Sequence, residues 1–305
     1  MTQETLVWSL VGTSTFDVSI KCLNSLLQYS QNPLYLYILS DGTLTDEQVD
    51  KLERSNVSVV RPDSEAIDYI NSKLAPYPYL KKVHADGLAV MKKMVDLPIL
   101  ATEIFSKADH FNYIDSDIIF IRPFKDLFCD NEDFVFLSSP DIGTSFFDLI
   151  LINQPIFAYL NGDVLRAPKF DFEQVNYIMK KLLETPEKTK TFTNPWLWEQ
   201  TAYSYLFAHQ PQRQIKRSAI YTPKFKEDLL ATSRNHVCRK NQPFAYHLVR
   251  DYKQQVDTFI NLSANVKAQS IYKETVTPES TLQAASLKIV SGAQNRITRI
   301  TDRKR

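Results

Sequence analysis

The first third of the chain alternates between short apolar runs and amphipathic segments, and this alternation most constrains the fold. Three β-rich runs predict strands, at residues 5–12, 33–42 and 57–62. Two segments between them have the apolar periodicity of helices, at residues 15–30 and 45–55. Strand–helix repetition predicts an α/β fold in which a mostly parallel central sheet is flanked by helices. In such sheets ligands bind beyond the carboxyl ends of the strands.

The rest of the chain is less regular. Helices are predicted at residues 86–108, 170–185 and 195–210, and strands at 133–139 and 146–153. Pro98 is expected to break or kink the first of these helices. Beyond residue 261 the chain becomes polar and poor in aromatic residues, which predicts a C-terminal extension that is flexible in part.

Composition and charge exclude several classes of protein. Of the 305 residues, 44% are hydrophobic and 23% are charged, which suits a globular protein with a sizeable core. The net charge of +1 gives no reason to expect nucleic acid as a partner. The three cysteines are isolated in the sequence, as suits a reducing compartment. With no signal-peptide start and no apolar run of ~18 residues, we expect a soluble, cytoplasmic protein.

The C-terminal residues 288–305 carry six basic side chains and one acidic one. Charge runs of this kind are usually solvated or disordered tails. The functional alternative is a weak anchor to anionic lipid at the inner face of a membrane, worth roughly 1 kcal/mol for each basic residue near the surface.

The segment YIDSDIIFIRP, residues 113–123, places two carboxylates inside an apolar, strand-like stretch. Burying Asp115 and Asp117 without compensation would cost several kcal/mol. A divalent cation such as Mg²⁺ or Mn²⁺ prefers oxygen ligands and often shares its coordination shell with substrate phosphates. The motif therefore predicts a metal site that faces a phosphorylated ligand, and the alternative is a polar turn between two strand pieces.

A phosphatase-type nucleophile motif is a competing interpretation of the same residues, because there an aspartate attacks phosphate directly. That motif carries Thr or Val two residues after the second aspartate, where this chain has Ile119. A sugar nucleotidyltransferase would need a glycine-rich, basic loop after the first strand, and VGTSTFDVS has one glycine and no base. Both interpretations rank below a metal site for a bound diphosphate.

At this point the sequence resembles the GT-A-fold, nucleotide-sugar-dependent glycosyltransferases, and within them the glycogenin and lipopolysaccharide-galactosyltransferase group. The stretch FNYIDSDIIFIRPFKDLF, residues 111–128, follows the apolar-Asp-x-Asp-apolar pattern of that group. The resemblance implies that Asp115 and Asp117, with Ser116 between them, bind Mn²⁺ (or Mg²⁺) that bridges the diphosphate of a UDP-linked sugar donor. It covers about residues 5–255.

The resemblance also implies a set of residues that bind the donor. Gly12 and Thr13, in LVGTS, follow the first strand and would contact the nucleoside, and Asp41 would lie near the base. A basic residue before the Asp-x-Asp motif, Lys93 or its neighbour Lys92, would reach the phosphates. In YLNGDVLRA the family's Asn-x-Gly loop corresponds to Asn161 and Gly162, which would contact the sugar; a routine turn is the alternative.

Two further segments complete the implied site. HLVRDYK keeps His247 and Lys253 at the spacing of the family's metal-binding His and phosphate-binding Lys, with Arg250 in place of a glycine. His247 would be the third metal ligand, and Lys253 would neutralise the departing diphosphate. Glu199-Gln200 resembles the family's acidic-Gln helix start, so Glu199, Gln200 and Asp163 would lie near the reacting sugar or the acceptor hydroxyl.

These implications define the expected organisation and function. Residues 1–261 would form one GT-A domain, with the nucleotide-binding part at about 1–125, an irregular acceptor part at about 126–261, and the extension at 262–305. The expected activity is transfer of a sugar from a nucleotide-sugar to a hydroxyl of a glycan, lipid or protein. The alternative is a non-catalytic nucleotide-sugar-binding protein of the same fold. Sequence does not name the sugar, the acceptor or the stereochemistry.

Overall fold

The computed structural model describes residues 4–87, 89–105, 108–128, 134–138, 149–150, 152–169, 171–184, 198–209, 212–216, 218–222, 243–261 and 266–290. The strands within these ranges are β1 Thr5–Val11, β2 Leu34–Ser40, β3 Val57–Val60, β4 His110–Ile114, β5 Ile118–Phe120, β6 Phe124–Lys125, β7 Phe134–Ser138, β8 Leu160–Pro168, β9 Gln212–Ile215, β10 Ile220–Tyr221, β11 Ala245–His247, β12 Gln269–Ser270 and β13 Lys273–Thr275.

The helices of the described ranges lie mostly between these strands. They are α1 Phe16–Tyr29, α2 Asp46–Leu52, α3 Ser64–Leu74, α4 Pro78–Ala85, α5 Ala89–Met94, α6 Asp96–Ile99, α7 Phe172–Leu183, α8 Trp198–Leu206, α9 Val256–Ile260 and α10 281–290. A π-helical turn, Leu100–Phe105, follows α6, and 3-10 turns occur at Thr13–Thr15 and Arg250–Gln255.

An eight-stranded sheet in the order β13-β9-β7-β8-β4-β1-β2-β3 forms the centre of the described chain. β1 pairs in parallel with β2 and β4, β2 with β3, and β7 with β9. β8 runs antiparallel to its neighbours β4 and β7, and β13 runs antiparallel to β9. The predicted α/β class with a mostly parallel central sheet is confirmed.

Local sequence explains why the first elements form where they do. Thr45 accepts a hydrogen bond from the backbone N–H of Gln48, and the Gln48 side chain accepts one from the N–H of Thr45, so a capping box begins α2. Along β1, Val7 and Trp8 are both buried but belong to different core clusters. Successive side chains of a strand face opposite sides, so both faces of the central sheet are covered.

Two predicted elements differ in the structure. Residues 149, 150 and 152, predicted as part of a strand at 146–153, are helical. Residues 146–148 and 151 of the same predicted strand lie outside the described residues. Leu149 and Ile152 are buried while Ile150 is 52% exposed, which is the spacing of a helix rather than of a strand. The segment predicted as one helix with a break at Pro98 divides at Val95, and Pro98 lies in the first turn of α6, where a proline is tolerated.

Part of the segment predicted as a C-terminal extension packs on the sheet. β13 is an edge strand paired with β9, and β12 pairs with β6. Ala284, in α10, is fully buried in a core cluster. Residues 262–265 and 291–305 lie outside the described ranges. Among the described residues, no helix has the length and apolarity that crossing a membrane requires.

Candidate functional site

The Asp-Ser-Asp segment forms the turn between β4 and β5, at the carboxyl end of β4. The backbone N–H of Asp115 donates to the carbonyl of Asp163 at 2.7 Å. Ser19, on α1, donates through Oγ to Oγ of Ser116 at 3.0 Å, and the N–H of Leu248 donates to the carbonyl of Asp117 at 2.9 Å. Three different parts of the chain therefore fix this turn.

Asp163 is brought to the turn by β8, not by a loop. The predicted loop conformation of 159–167, and the alternative of a routine turn at Asn161–Asp163, are wrong, because Leu160–Pro168 is a strand in the middle of the sheet. Its pairing with β7 shifts register between Phe136 and Leu137, and such irregularities re-aim side chains. Oδ1 of Asn161 accepts from the N–H of Asp163 at 2.7 Å, which fixes Asp163 beside Asp115.

Lys93 forms the centre of one charged group. Its Nζ lies 3.2 Å from Oδ1 of Asp115 and 3.0 Å from Oε1 of Glu199. The same ammonium lies 4.4 Å from the centre of the Tyr113 ring, and the Tyr203 hydroxyl donates to the Lys93 carbonyl at 3.3 Å. The Lys93 and Glu199 side chains are each 4% exposed. Lys93 was predicted to bind phosphates, but in the structure its ammonium is already paired with the carboxylates of Asp115 and Glu199.

His247 forms the centre of a second charged group. β11 pairs antiparallel with β5, and His247 lies opposite Ile118, so the imidazole reaches the Asp-Ser-Asp turn. Its Nε2 lies 3.3 Å from Oδ1 of Asp117, and its Nδ1 lies 3.0 Å from Oδ2 of Asp163. Lys253 Nζ lies 2.8 Å from Oδ2 of Asp117, and its side chain is 32% exposed.

These contacts raise the pKa of Lys93 and the pKa of His247, the central residues of the two charged groups. Burial by itself lowers the pKa of Lys93, but Asp115, Glu199 and Asp163 outweigh it and hold that pKa above its ordinary value. Burial also lowers the pKa of His247, yet Asp163 and Asp117 together hold it well above the usual range. Without a metal ion, the imidazole therefore holds a proton between the two carboxylates.

The carboxylates of the site divide into two kinds. Burial raises the pKa of Asp115, against the opposing effect of Lys93, and the nearby Asp163 and Asp117 raise it further. Burial raises the pKa of Glu199 in the same way, and Lys93 opposes it. For Asp163 and Asp117, burial would raise the pKa, but His247 outweighs it and holds both below their ordinary values.

The donor set fits a divalent cation. Asp115, Asp163 and His247 each offer one ligand atom, and these atoms lie within 4.8 Å of one another. Oδ1 of Asp117 and Nδ1 of His247 are buried and, although in ion-pair contact, make no hydrogen bond of good geometry with the described residues. Carboxylate oxygens with one imidazole are a ligand set that Mn²⁺ accepts. Asp117 is not one of these three residues, but its Oδ1 lies 3.3 Å from Nε2 of His247.

A cavity of about 420 Å³ opens over these residues. Ten of the residues predicted from sequence line it: Gly12, Asp41, Lys93, Asp115, Ser116, Asp117, Asp163, Glu199, Gln200 and Lys253. They come from the carboxyl ends of β1, β2 and β4, from β8, from α5 and α8, and from the 3-10 turn Arg250–Gln255. The ends of β1, β2 and β4 meet because parallel strands end at one edge of the sheet. The sequence prediction that these segments share one site is consistent with this arrangement.

Four predicted residues do not line the cavity. Thr13 is bonded to the turn after β2, since its N–H donates to Oγ1 of Thr43 at 2.8 Å. Asn161 supports Asp163, and His247 lies behind Asp117 and Asp163. Gly162 lies against Glu199, because a Cβ on Gly162 would come within 2.4 Å of Glu199 Oε1. A side chain there would collide with a carboxylate of the site.

Sequence reasoning did not select some of the lining residues. Tyr113, Thr15 and Val90 line the cavity, and Tyr113 also lies beneath the Lys93 ammonium. The one signal for Tyr113 was its position two residues before Asp115, on the same side of an extended strand. Val90 carried no chemical signal, since an apolar residue on a helix predicts core packing.

No protein-family model matches the chain, and no curated protein matches it either. Among solved structures it is similar to mouse xyloside xylosyltransferase 1, with 12% identity, 80% of this chain and 97% of the other covered, and a TM-score of 0.45. It is similar to an active-site mutant of LgtC, with 10% identity, 86% and 98% covered, and a TM-score of 0.47.

A third similar structure is the glycosyltransferase GlyE of Streptococcus pneumoniae TIGR4, with 13% identity, 87% of this chain and 61% of the other covered, and a TM-score of 0.46. These structures belong to the class of protein that the sequence resembles. At such identities, and with TM-scores below 0.5, the likeness says nothing about which reaction this chain performs. A proposal for the reaction therefore has to rest on the side chains of this protein.

Proposed function

We propose that the chain is a glycosyltransferase that moves a sugar from a nucleotide-diphosphate sugar, UDP-linked, to an acceptor hydroxyl. The observation that carries the proposal is the charge balance of the site. Among the described residues, two buried carboxylates, Asp163 and Glu199, and two partly buried ones, Asp115 and Asp117, meet two lysines and one imidazole. With His247 neutral, these described side chains carry a net charge of −2, which one divalent cation would balance.

Asp115, Asp117 and His247 would hold Mn²⁺ or Mg²⁺, and Asp163 would join them, because its carboxylate lies in the same cluster. When bound, the ion supplies positive charge that stabilises a diphosphate. This placement favours metal binding for Asp163 over the role near the acceptor expected from the sequence. Asn161 would hold Asp163 in place through its backbone N–H.

Lys253 would bind the diphosphate directly. Its ammonium is held at the rim of the cavity by Asp117 and is the more exposed of the two site lysines. In the reaction the bond between sugar C1 and the diphosphate oxygen breaks, and its electron pair stays on the diphosphate. A cation close to that oxygen stabilises the developing charge. Lys93, enclosed by Asp115 and Glu199, would instead keep the carboxylates apart and in position.

Glu199 and Gln200 would lie against the sugar. Both line the cavity, and Gly162 leaves the space that Glu199 Oε1 occupies. A new bond forms between C1 and the acceptor oxygen, whose proton passes to the departing diphosphate. The Glu199 carboxylate would face the positive charge that develops at C1, and the Gln200 amide would orient the sugar hydroxyls. Gly12 and Asp41, at the ends of β1 and β2, would border the nucleoside.

The layout expected from the sequence remains part of the proposal. Residues 1–125 would bind the nucleotide and 126–261 the acceptor, which is a glycan, lipid or protein. We also propose a cytoplasmic location and a weak membrane-surface contact through the basic C-terminus. Leu282, Ile289 and Val290 of α10, which precedes those basic residues, are more than half exposed, and this supports the contact.

The proposal is tested by measuring UDP release from UDP-glucose, UDP-galactose, UDP-xylose and UDP-N-acetylglucosamine, with Mn²⁺ and with EDTA. We expect release from one donor, dependent on Mn²⁺, that falls about a hundredfold or more in Asp117→Asn. Asp50→Asn, an exposed acid on α2, is the matched control and should retain activity. Donor binding without release would favour the non-catalytic binding protein, and no binding of any donor would refute the proposal.

A further inference from the structure

A second cavity lies on the other side of the turn that follows β2. Its volume is about 560 Å³, and its lining comes from the ends of β2 and β3 and from α3, α4, α5 and α6. The polar lining includes Arg61, His84 and Lys92, with Asp96 as the acidic member. Part of the apolar lining is buried core, Leu44 and Ile70, while Ile67 is 44% exposed. The cavity thus combines basic side chains with apolar surface.

The two long basic side chains are bound to backbone carbonyls of the same turn. Lys92 Nζ donates to the carbonyl of Asp41, and Arg61 Nη2 donates to the carbonyl of Leu44, both at 2.7 Å. Arg61 also pairs through Nη1 with Asp46, whose side chain is 92% exposed, and such exposed pairs contribute little. No carboxylate of a described residue pairs with Lys92. Neutral carbonyls leave the charge of Lys92 uncompensated.

The acidic residue of the cavity is already engaged. Asp96 lies 2.7 Å from Nδ1 of His84, so its charge is directed at the imidazole and not at Lys92 or Arg61. A protonated histidine that donates its Nδ1–H to a carboxylate carries a second donor on Nε2, which is free to bind an anion. Three basic groups from three different elements therefore border one cavity, with one acid among the described lining residues to balance them.

We propose that this second cavity binds a small phosphomonoester, with the phosphate held by Lys92, Arg61 and His84 and the organic part on Leu44, Ile67 and Ile70. A guanidinium, an ammonium and an imidazole are the donors that phosphate oxygens accept in proteins. Cavities of a few hundred Å³ that combine apolar walls with a few convergent polar groups are typical of sites for small molecules. The assignment does not depend on the glycosyl-transfer proposal.

The second cavity is coupled to the first through the turn that separates them. Asp41 lines the first cavity, and Gly42 lines the second. Asp41 Oδ1 accepts from the N–H of Thr43 at 2.8 Å, and Thr43 Oγ1 accepts from the N–H of Thr13. A phosphate that draws Lys92 and Arg61 from the carbonyls of this turn would loosen the wall of the first cavity.

The test is a titration of the full-length protein with glucose 1-phosphate and, separately, with inorganic phosphate, followed by the backbone amide resonances of Gly42 and Ile70. Gly12 reports on the first cavity. We expect saturable shifts of Gly42 and Ile70, with affinity at least about tenfold weaker in Lys92→Gln, and a weaker response to inorganic phosphate. Lys81→Gln, an exposed lysine on α4 outside the cavity, should bind like the wild type.

Ile67→Trp keeps all three basic groups and fills the exposed edge of the cavity, so it tests the site even if the lysine variant folds poorly. It too should weaken binding at least about tenfold. Equal affinity in all four proteins, shifts confined to Gly12, or no shift at Gly42 and Ile70 would overturn the proposal. Equal affinity for both ligands would overturn the organic part and leave inorganic phosphate as the ligand.

Discussion

The two aspartates of the Asp-Ser-Asp turn lie one residue apart but belong to differently built surroundings. Asp115 faces Lys93, whose side chain is 4% exposed and which also pairs with Glu199. Asp117 faces His247 and Lys253, and the Lys253 side chain is 32% exposed. The Lys93 group lines the cavity with all three of its members, and its central cation is buried and permanent. The His247 group reaches the cavity through Asp117, Asp163 and Lys253, with the imidazole behind them, and this central cation can lose a proton.

This difference assigns different tasks to similar residues. A buried ion pair is destabilising to break, because removal of one partner leaves a charge with neither water nor a counterion. The Lys93 group therefore fixes the geometry of the site. An imidazole between two carboxylates can exchange its proton for a metal ion, since metal binding requires the neutral form. The His247 group therefore suits reversible binding.

The largest expected effect is on stability. Lys93→Met leaves the buried Glu199 and the partly buried Asp115 without their cation, and we expect a loss of about 3–5 kcal/mol in the free energy of unfolding. Lys253→Met removes a partly exposed partner from Asp117, which still has His247, so we expect about 1 kcal/mol or less. Urea unfolding of both variants in EDTA measures the difference. Equal losses of unfolding free energy in the two variants would contradict the proposed difference between the Lys93 group and the His247 group.

The second prediction concerns metal affinity. Asp117→Asn and His247→Gln should each weaken Mn²⁺ binding by about tenfold or more, because both remove a charge or a ligand from the His247 group. Glu199→Gln, on the Lys93 side, is the matched control and should change the affinity far less. Calorimetric titration of the protein with Mn²⁺ alone gives these values. If Glu199→Gln weakened Mn²⁺ binding as much as Asp117→Asn, the assignment of metal binding to the His247 group and not to the Lys93 group would be wrong.

The third prediction concerns the space beside Glu199. In Gly162→Ala the new methyl group would lie 2.4 Å from Glu199 Oε1, so we expect a loss of about 1–3 kcal/mol from overpacking. The double variant Gly162→Ala with Glu199→Ala should lose less than the sum of the two single losses, because the clash is absent. Additive losses would mean that the two residues do not contact each other.

The smallest effect is a pH dependence outside the metal site. The hydrogen bond to Asp96 raises the pKa of His84 above its ordinary value, although burial opposes it. The folded state therefore binds the proton more tightly than the unfolded state. The stabilisation is fully present below about pH 6.5, the unfolded value, and is lost as the pH rises through the folded value.

His84→Gln should therefore lower stability most below about pH 6.5 and progressively less above it. Urea unfolding of wild type and variant across this pH range measures the effect, which we expect to stay below about 1 kcal/mol since His84 is partly exposed. His209, a histidine for which the structure shows no such carboxylate contact among the described residues, gives the control variant His209→Gln. A variant effect that is independent of pH would contradict the assignment.

Much of the first half of the fold could be predicted from the sequence because local signals and tertiary structure agree there. The strands at β1, β2 and β3 are bounded by turn residues, and Thr45 provides a capping box. The Asp-Ser-Asp turn could be predicted as a site because two carboxylates interrupt an apolar stretch. Local chemistry is enough wherever each element has a distinctive boundary.

The burial of Asn161, Gly162 and Asp163 could not be predicted, because this tripeptide is typical of a turn. It forms a strand here because Asp115, Glu199 and His247, all distant in sequence, supply its contacts. The same reason explains Lys93, whose sequence neighbours do not reveal the carboxylates that enclose it. Polar residues stabilised by long-range partners carry no local signal.

The most direct test of the central claim is calorimetric titration with UDP, in Mn²⁺ and in EDTA, for wild type, Asp117→Asn and Asp50→Asn. The claim is that the His247 group tolerates its carboxylates because a divalent cation and a diphosphate neutralise them. We predict that wild type and Asp50→Asn bind UDP with Mn²⁺ and at least about tenfold more weakly in EDTA, and that Asp117→Asn loses the Mn²⁺-dependent part. UDP binding of equal strength in EDTA, or unchanged in Asp117→Asn, would contradict the claim.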